Sequence, residues 1–184
     1  AVYGGFAGME TDRTQRDPVA NITILSGDLN EDDGDNFENN SENSFHVVLG
    51  VTDATLDGVT ISGGNANESN PNDRGGGVLS NAANPTLTNI IISHNAASAG
   101  AGMYNDSSSP AMTNVTFKDN AASYSGGGMQ NYAISNPTLT NVIFSNNSAQ
   151  YGGGMFNNSS SPSLTDVTFF SNRATTQYGG GMHN

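Results

Sequence analysis

"GGGMQNYAISNPTLTNVIFSNNSAQYGGGMFNNSSSPSLTDVTF", residues 126–169, says nearly the same thing twice. A fixed internal period is the sequence signature of repeat architectures. Working outward, glycine triplets or their equivalents begin at Gly75, Gly100, Gly126, Gly152 and Gly179, in steps of 25, 26, 26 and 27 residues. Each unit reads GGGMxN, then a Ser/Asn/Pro turn such as "DSSSP", then "TLTN", then "VTFxxN", then a small-residue loop. Short pieces of alternating apolar residues, rich in β-branched and aromatic types, predict strands. Gly, Asn, Ser and Pro recur too often to leave three uninterrupted helical turns.

Three short strands per unit without a helical crossover predict an all-β fold, a right-handed parallel β-helix of about 26 residues per coil. Coils would stack at about 4.8 Å, so equivalent residues form columns. Val78, Met103, Met129, Met155 and Met182 make one interior row; Leu87, Met112, Leu139 and Leu164 a second. Ile90, Val115, Val142 and Val167 make a third, and Ile92, Phe117, Phe144 and Phe169 a fourth. The asparagines fall into columns as well: Asn89, Asn114, Asn141 with Asp166; Asn95, Asn120, Asn147 and Asn172; Asn105, Asn131, Asn157 and Asn184. A side-chain amide can bond its equivalents above and below, and Asn tolerates the left-handed backbone of a tight corner.

Residues 75–184 carry the regular repeats, and residues 1–74 read as less regular coils of one continuous solenoid. "ATLDGVTISGGN" (54–65) matches the TLTN–VTF phrase, and "NITILSGD" and "FHVVLGV" read as strands of earlier coils. Between them, "GDLNEDDGDNFENNSEN" (27–43) reads as a polar acidic loop projecting from the stack. The net charge is −12, from 17 acidic and five basic residues, and 14 of those acids lie in residues 1–74. Such a balance argues against nucleic acid as a partner. Cysteine is absent, so disulfides and thiolate metal sites are excluded. No apolar run has the length of a membrane span, so membrane insertion is not expected. Beginning at Ala1 and ending inside a repeated phrase, the sequence reads as a processed or excised piece of a longer chain.

"GGGM" followed by "FKDN", "FSNN" and "FFSN" resembles the repeats of bacterial polymorphic outer-membrane proteins, Gly-Gly-Ala-aliphatic paired with Phe-x-x-Asn, with Gly and Met standing here in the third and fourth positions. Together with "AVYGGFAGMETDRTQRDPVANITILSGD" and "NSFHVVLG", nearly the whole chain resembles secreted bacterial β-helix repeat proteins. That resemblance implies a secreted or cell-surface location, and a capping region ahead of such an opening; it brings no catalytic residues.

Several motifs bear on chemistry. Pectate lyases and polygalacturonases are parallel β-helices that cut polysaccharides, using a calcium-bound acidic cluster with a base, or paired carboxylates. The regular repeats carry only Asp106, Asp119, Asp166, Lys118 and Arg173 as charges, and the Asn-Thr-Asp, Gly-His-Gly and Arg-x-Lys signatures are missing. His46, His94 and His183 occupy unrelated places in the coils. Catalysis is therefore not expected, fold alone carrying no function. "DLNEDDGDN" sets Asp28, Asn30, Asp32, Asp33 and Asp35 around Gly34, hard oxygen ligands at short spacing that suit calcium, though not in the spacing of an EF-hand; the same acids also suit a solvated loop.

Thr86, Thr88, Thr113, Thr138, Thr140 and Thr165 face outward in rows completed by Ala111 and Ser163; the rows resemble the ice-binding faces of antifreeze proteins, a remote alternative to the plain suitability of β-branched residues for an exposed strand. Leu79, Tyr104, Gln130, Phe156 and His183 are expected to point outward beside the Met row, and Tyr124, Tyr151 and Tyr178 precede successive triplets; such rows could meet sugar rings or a partner, or pack coil on coil. "VYGGFAG" (2–8) resembles "YGGGMHN" (178–184), which suggests end-to-end stacking into a filament. The expected function is a non-enzymatic extracellular stalk, adhesin or filament subunit, partnered by its own copies, other surface proteins or glycans. The alternative is a carbohydrate-binding or polysaccharide-degrading module.

Overall fold

A computed structural model describes residues 1–184, apart from the side chain of Gln177. The chain is a parallel β-solenoid of about five coils, about 26 residues apart. Each regular coil contributes one strand to each of three sheets. The long sheet holds Thr86–Ser93, Ala111–Lys118, Thr138–Ser145 and Ser163–Phe170, joined in unshifted parallel register. The methionine sheet holds Val78–Asn81, Met103–Asp106, Met129–Tyr132, Met155–Asn158 and Met182–His183. The alanine sheet holds Asn65–Ala66, Ala96–Ala99, Ala121–Ser125, Ser148–Tyr151 and Arg173–Tyr178.

The third sheet corrects the sequence reading, which gave those small residues to a loop. Ala66, Ala97, Ala122 and Ala149 are buried in one column, and Ala101 packs in the same cluster. Alanine has weak β-propensity, so the local signal is poor, although its recurrence at the coil period marks an inward-facing column.

In the long sheet, TLTN and VTF form one strand bent at a left-handed residue, with φ of +53° at Asn89, +55° at Asn114, +53° at Asn141 and +52° at Asp166. That residue resets the alternation. In Ala111–Lys118 the buried positions are Met112, Val115 and Phe117, a three-residue step followed by a two-residue step. Two further corners, His94/Asp119/Asn146/Ser171 and Ala82/Ser107/Ala133/Ser159, are also left-handed, but their mixed residue types hide them in the sequence. At Gly102 the constraint is contact: a Cβ would sit 2.4 Å from the Gly128 carbonyl oxygen of the next coil.

The four interior rows fill the cylinder. Their members are essentially solvent-free through the middle coils, and Phe117, Phe144 and Phe169 stack nearly parallel with centroids 4.7 and 4.8 Å apart. Leu56, Val59 and Ile61 extend the rows toward the N-terminus. The first coil is interrupted twice. Val2–Tyr3 pairs with Leu56–Asp57 and Ile24–Ser26 with Thr60–Ser62, while residues 4–23 bulge out as an arm between them. Residues 27–47 then stand where the alanine strand would run, and Val48–Leu49 rejoins the methionine sheet.

Side-chain ladders run along the axis. In the buried ladder, the Asn120 Oδ1 accepts both the backbone N–H and the Nδ2 of Asn95, at 3.1 and 3.0 Å, and Asn147 does the same for Asn120, at 3.1 and 2.9 Å. The Nδ2 groups also reach backbone carbonyls, Asn120 to Ile92 and Asn147 to Phe117, each at 2.9 Å. In the second, Asn105 donates to Asn131, Asn131 to Asn157 and Asn157 to Asn184, at 2.9, 2.8 and 2.7 Å. Toward the N-terminus that ladder stops, because its next member is Ser80, too short to reach: Asn105 Oδ1 and Ser80 Oγ are both buried without partners. An exposed third ladder runs Asn141 to Asn114 to Asn89 and ends on the Asp57 carboxylate, at 2.8, 3.0 and 2.8 Å. A serine ladder escaped the sequence reading: the N–H of Ala83, Ser108 and Ser135 donate to the hydroxyls of Ser108, Ser135 and Ser160.

Burial separates these ladders energetically. Asn120→Ala strips the Asn95 N–H of its only acceptor in a dry interior, at about 1–3 kcal/mol per orphaned buried group. Asn114→Gly keeps the left-handed corner and loses only exposed bonds, for about 1 kcal/mol. Urea unfolding of the two variants is expected to show Asn120→Ala the less stable by about 2 kcal/mol or more.

Candidate functional site

The outer surface divides into a uniform set of coil faces and an N-terminal end dressed by two excursions. The arm, residues 4–23, is fastened by Arg16, which donates to the carbonyls of Gly4 at 3.2 Å and Asp57 at 3.1 Å and pairs closely with the Asp57 carboxylate. Arg13 and Arg16 both lie over the Tyr3 ring, at 4.5 and 5.5 Å from its centroid. Pro18, Val19 and Ile22 of the arm wall a cavity of about 400 Å³ whose floor includes Ile90, Ile91 and Thr116 of the long sheet.

The acidic loop forms the other wall. Phe37, half-buried, separates two hollows, one toward Ile24 and Thr60, the other over His94, Asp119 and Asn146. Of the five residues singled out in the sequence, the structure brings Asp28 and Asp32 together, and adds Glu42, with carboxylate oxygens of all three within 4.8 Å of one another. Asp33 adjoins them: its N–H donates to Asp28 and its carboxylate accepts the Asn43 Nδ2 at 2.8 Å. Asp35 is exposed and stands outside that group, and Asn30 is exposed on the same loop. Glu42 lies ten residues beyond Asp32, too far for a short-spacing search; a turn of 3₁₀-helix at Asn40–Glu42 delivers it, held by an Asn65 Nδ2 bond to the Asn40 carbonyl at 2.7 Å.

The remaining candidates are placed as follows. The hydroxyl rows align in register, Thr86–Ala111–Thr138–Ser163 and Thr88–Thr113–Thr140–Thr165, on the outer side of the long sheet. Along the methionine sheet, the expected outward row is only partly open. Tyr104 is 2% exposed, with Arg74 laid over its ring, and Gln130 is 6% exposed. Arg74 lies 5.2 Å from the Tyr104 ring centroid and its Nη1 donates to the phenol oxygen at 2.9 Å; Gln130 is closed by a short bond from Ser125.

Tyr124 meets Tyr151 edge-on with centroids 5.3 Å apart, Tyr151 stacks on Tyr178 at 5.8 Å, and His183 packs against Tyr151, Phe156 and Tyr178. The rings thus pack coil on coil, while Tyr124 and Tyr178 remain more than half exposed. His46 meets the Gly75 carbonyl, and His94 is 4.0 Å from Asp119 at an exposed corner. The likeness of residues 2–8 to 178–184 does not carry into the fold. Val2–Tyr3 sits in the long sheet, whereas Tyr178 ends an alanine-sheet strand and Met182–His183 lies in the methionine sheet.

Models of known protein families, curated proteins and solved structures were compared with the chain, and none matches. The class defined by the geometry is the parallel β-solenoid.

Burial pushes the Tyr104 phenol up to about 12, with the Arg74 charge opposing that rise. A folded value above the ordinary 10.0 means that stability is fully present below pH 10 and declines as pH rises toward 12. Ultraviolet titration is expected to show a late-ionising tyrosine in the folded chain that disappears in Tyr104→Phe and on unfolding.

Proposed function

We propose that the chain is a non-enzymatic structural segment of a secreted or cell-surface protein, a rigid stalk or adhesive element whose end faces stack on further coils. The observation that carries this reading is the unbroken axial bonding: buried asparagines tie each middle coil to the next through side chain and backbone together. A stack held this way resists bending and local opening, which suits a spacer.

One further feature adds support. The five charges of the regular repeats are scattered over different columns and do not gather on one face.

Sedimentation velocity over a concentration series, with calcium present, tests the reading. Growth into long, heterogeneous species is the expected result for a subunit that stacks end to end. A compact monomer at every concentration contradicts self-stacking. Retention of that monomer on insoluble polysaccharide would then overturn the purely structural reading in favour of glycan binding.

A further inference from the structure

The acidic loop is electrostatically incomplete. Asp28, Asp32 and Glu42 hold carboxylate oxygens within 4.8 Å of one another, with Asp33 against Asp28. Like charges this close repel unless a cation or a proton intervenes. Among the described residues, the three ion pairs are Arg16–Asp57, Arg74–Asp73 and His94–Asp119, and none involves an acid of the loop. The arginines nearest in sequence are already committed to the arm and to Tyr104.

Crowded surface acids alone do not make a site. The second observation is a pair of orphaned oxygens. Glu42 Oε1, in the cluster itself, is shut off from solvent and has no partner. Asn43 Oδ1 is likewise buried and unpartnered, in a residue only 6% exposed. Asn43 directly follows Glu42, and its Nδ2 donates to Asp33 at 2.8 Å, whose own N–H donates to Asp28, so the amide is tied to the edge of the same cluster. Buried polar atoms are almost always paired, and two unpaired oxygens on adjacent residues, one of them within the group of acids, leave a place for an electron-pair acceptor.

We propose that Asp28, Asp32, Glu42 and the Asn43 side-chain oxygen form a calcium site that closes the first coil. All four donors are hard oxygens, and the irregular loop suits the flexible, high-coordination shell of calcium better than the strict octahedron of magnesium. The site spans the base of the excursion: Asp28 follows Gly27, whose carbonyl accepts the Ser44 N–H at 2.8 Å, and Ser44 in turn bonds the Asn65 N–H of the next coil at 2.8 Å. Calcium therefore joins the outgoing and returning ends of the segment that stands in for the missing alanine strand. This binding role is additional to the structural reading above and does not depend on it.

Calorimetric titration of chelator-stripped protein with calcium chloride, paired with thermal unfolding, tests the proposal. The expected result is one ion per chain, with a dissociation constant of about 10⁻⁴ to 10⁻³ M, the range of extracellular calcium modules, and weaker binding of magnesium. Glu42→Gln and Asp32→Asn should each weaken calcium binding about ten-fold or more, whereas Asp35→Asn, outside the cluster, should leave it within about two-fold. Removing a charge from the metal-free cluster relieves repulsion. Both cluster variants should therefore unfold no earlier than the parent without calcium, and lose the calcium-induced rise in midpoint. Absence of binding at millimolar calcium, binding indifferent to Glu42→Gln and Asp32→Asn, or an early-melting metal-free Glu42→Gln would each overturn the proposal, the last by assigning Glu42 a structural role.

Discussion

The structure depends on in-register parallel stacking of equivalent residues. With a period of about 26 residues and strands about 4.8 Å apart, the interior and ladder side chains of the regular coils sit over near copies of themselves. Such repetition is tolerable only for side chains that attract their own kind. Asparagine does so because it carries a donor and an acceptor on one short amide, phenylalanine because offset rings stack, and aliphatic residues because they exclude water. Charged residues do not, and only five occur from residue 75 onward. Composition and architecture thus have one cause, and 34% hydrophobic residues suffice because the core is a narrow column filled by four rows.

Irregularity is confined to the N-terminal end, where the column logic lapses and charge accumulates. The arm replaces the tight Asn corner with a long bulge, and Arg16 is its fastening, satisfying two carbonyls and the carboxylate on which the exposed Asn ladder terminates. The acidic loop replaces an alanine strand and has no comparable basic fastening among the described residues. One excursion is closed by an internal cation, and the other presents oxygens suited to an external one.

Much of the fold was legible because repetition multiplies weak signals. The interior rows, the three Asn columns and the Gly corners follow from aligning phrases one period apart. Properties that do not repeat, or repeat in residues of ambiguous preference, stayed hidden. The alanine sheet looked like a loop since Ala, Ser and Asn signal strands poorly in any single coil. The left-handed corner at His94, Asp119, Asn146 and Ser171 shares a conformation without sharing a residue type. The cover that Arg74 lays over Tyr104 is a single contact that no periodicity announces. At the candidate cation site, sequence proximity found Asp28 and Asp32 but not Glu42, because a loop brings together residues by its path through space.

Hydrogen exchange at the backbone amides of Asn95, Asn120 and Asn147 tests the axial-ladder account most directly. Each of these N–H groups donates to no backbone carbonyl, but to the side chain of the next coil's asparagine, at 3.1, 3.1 and 3.0 Å. If the buried ladder holds the coils together, these amides exchange only with global unfolding, as slowly as those of Met103 and Met129 in the methionine sheet. Exchange at the rate of exposed turn amides would show that the ladder opens freely, and would contradict the account.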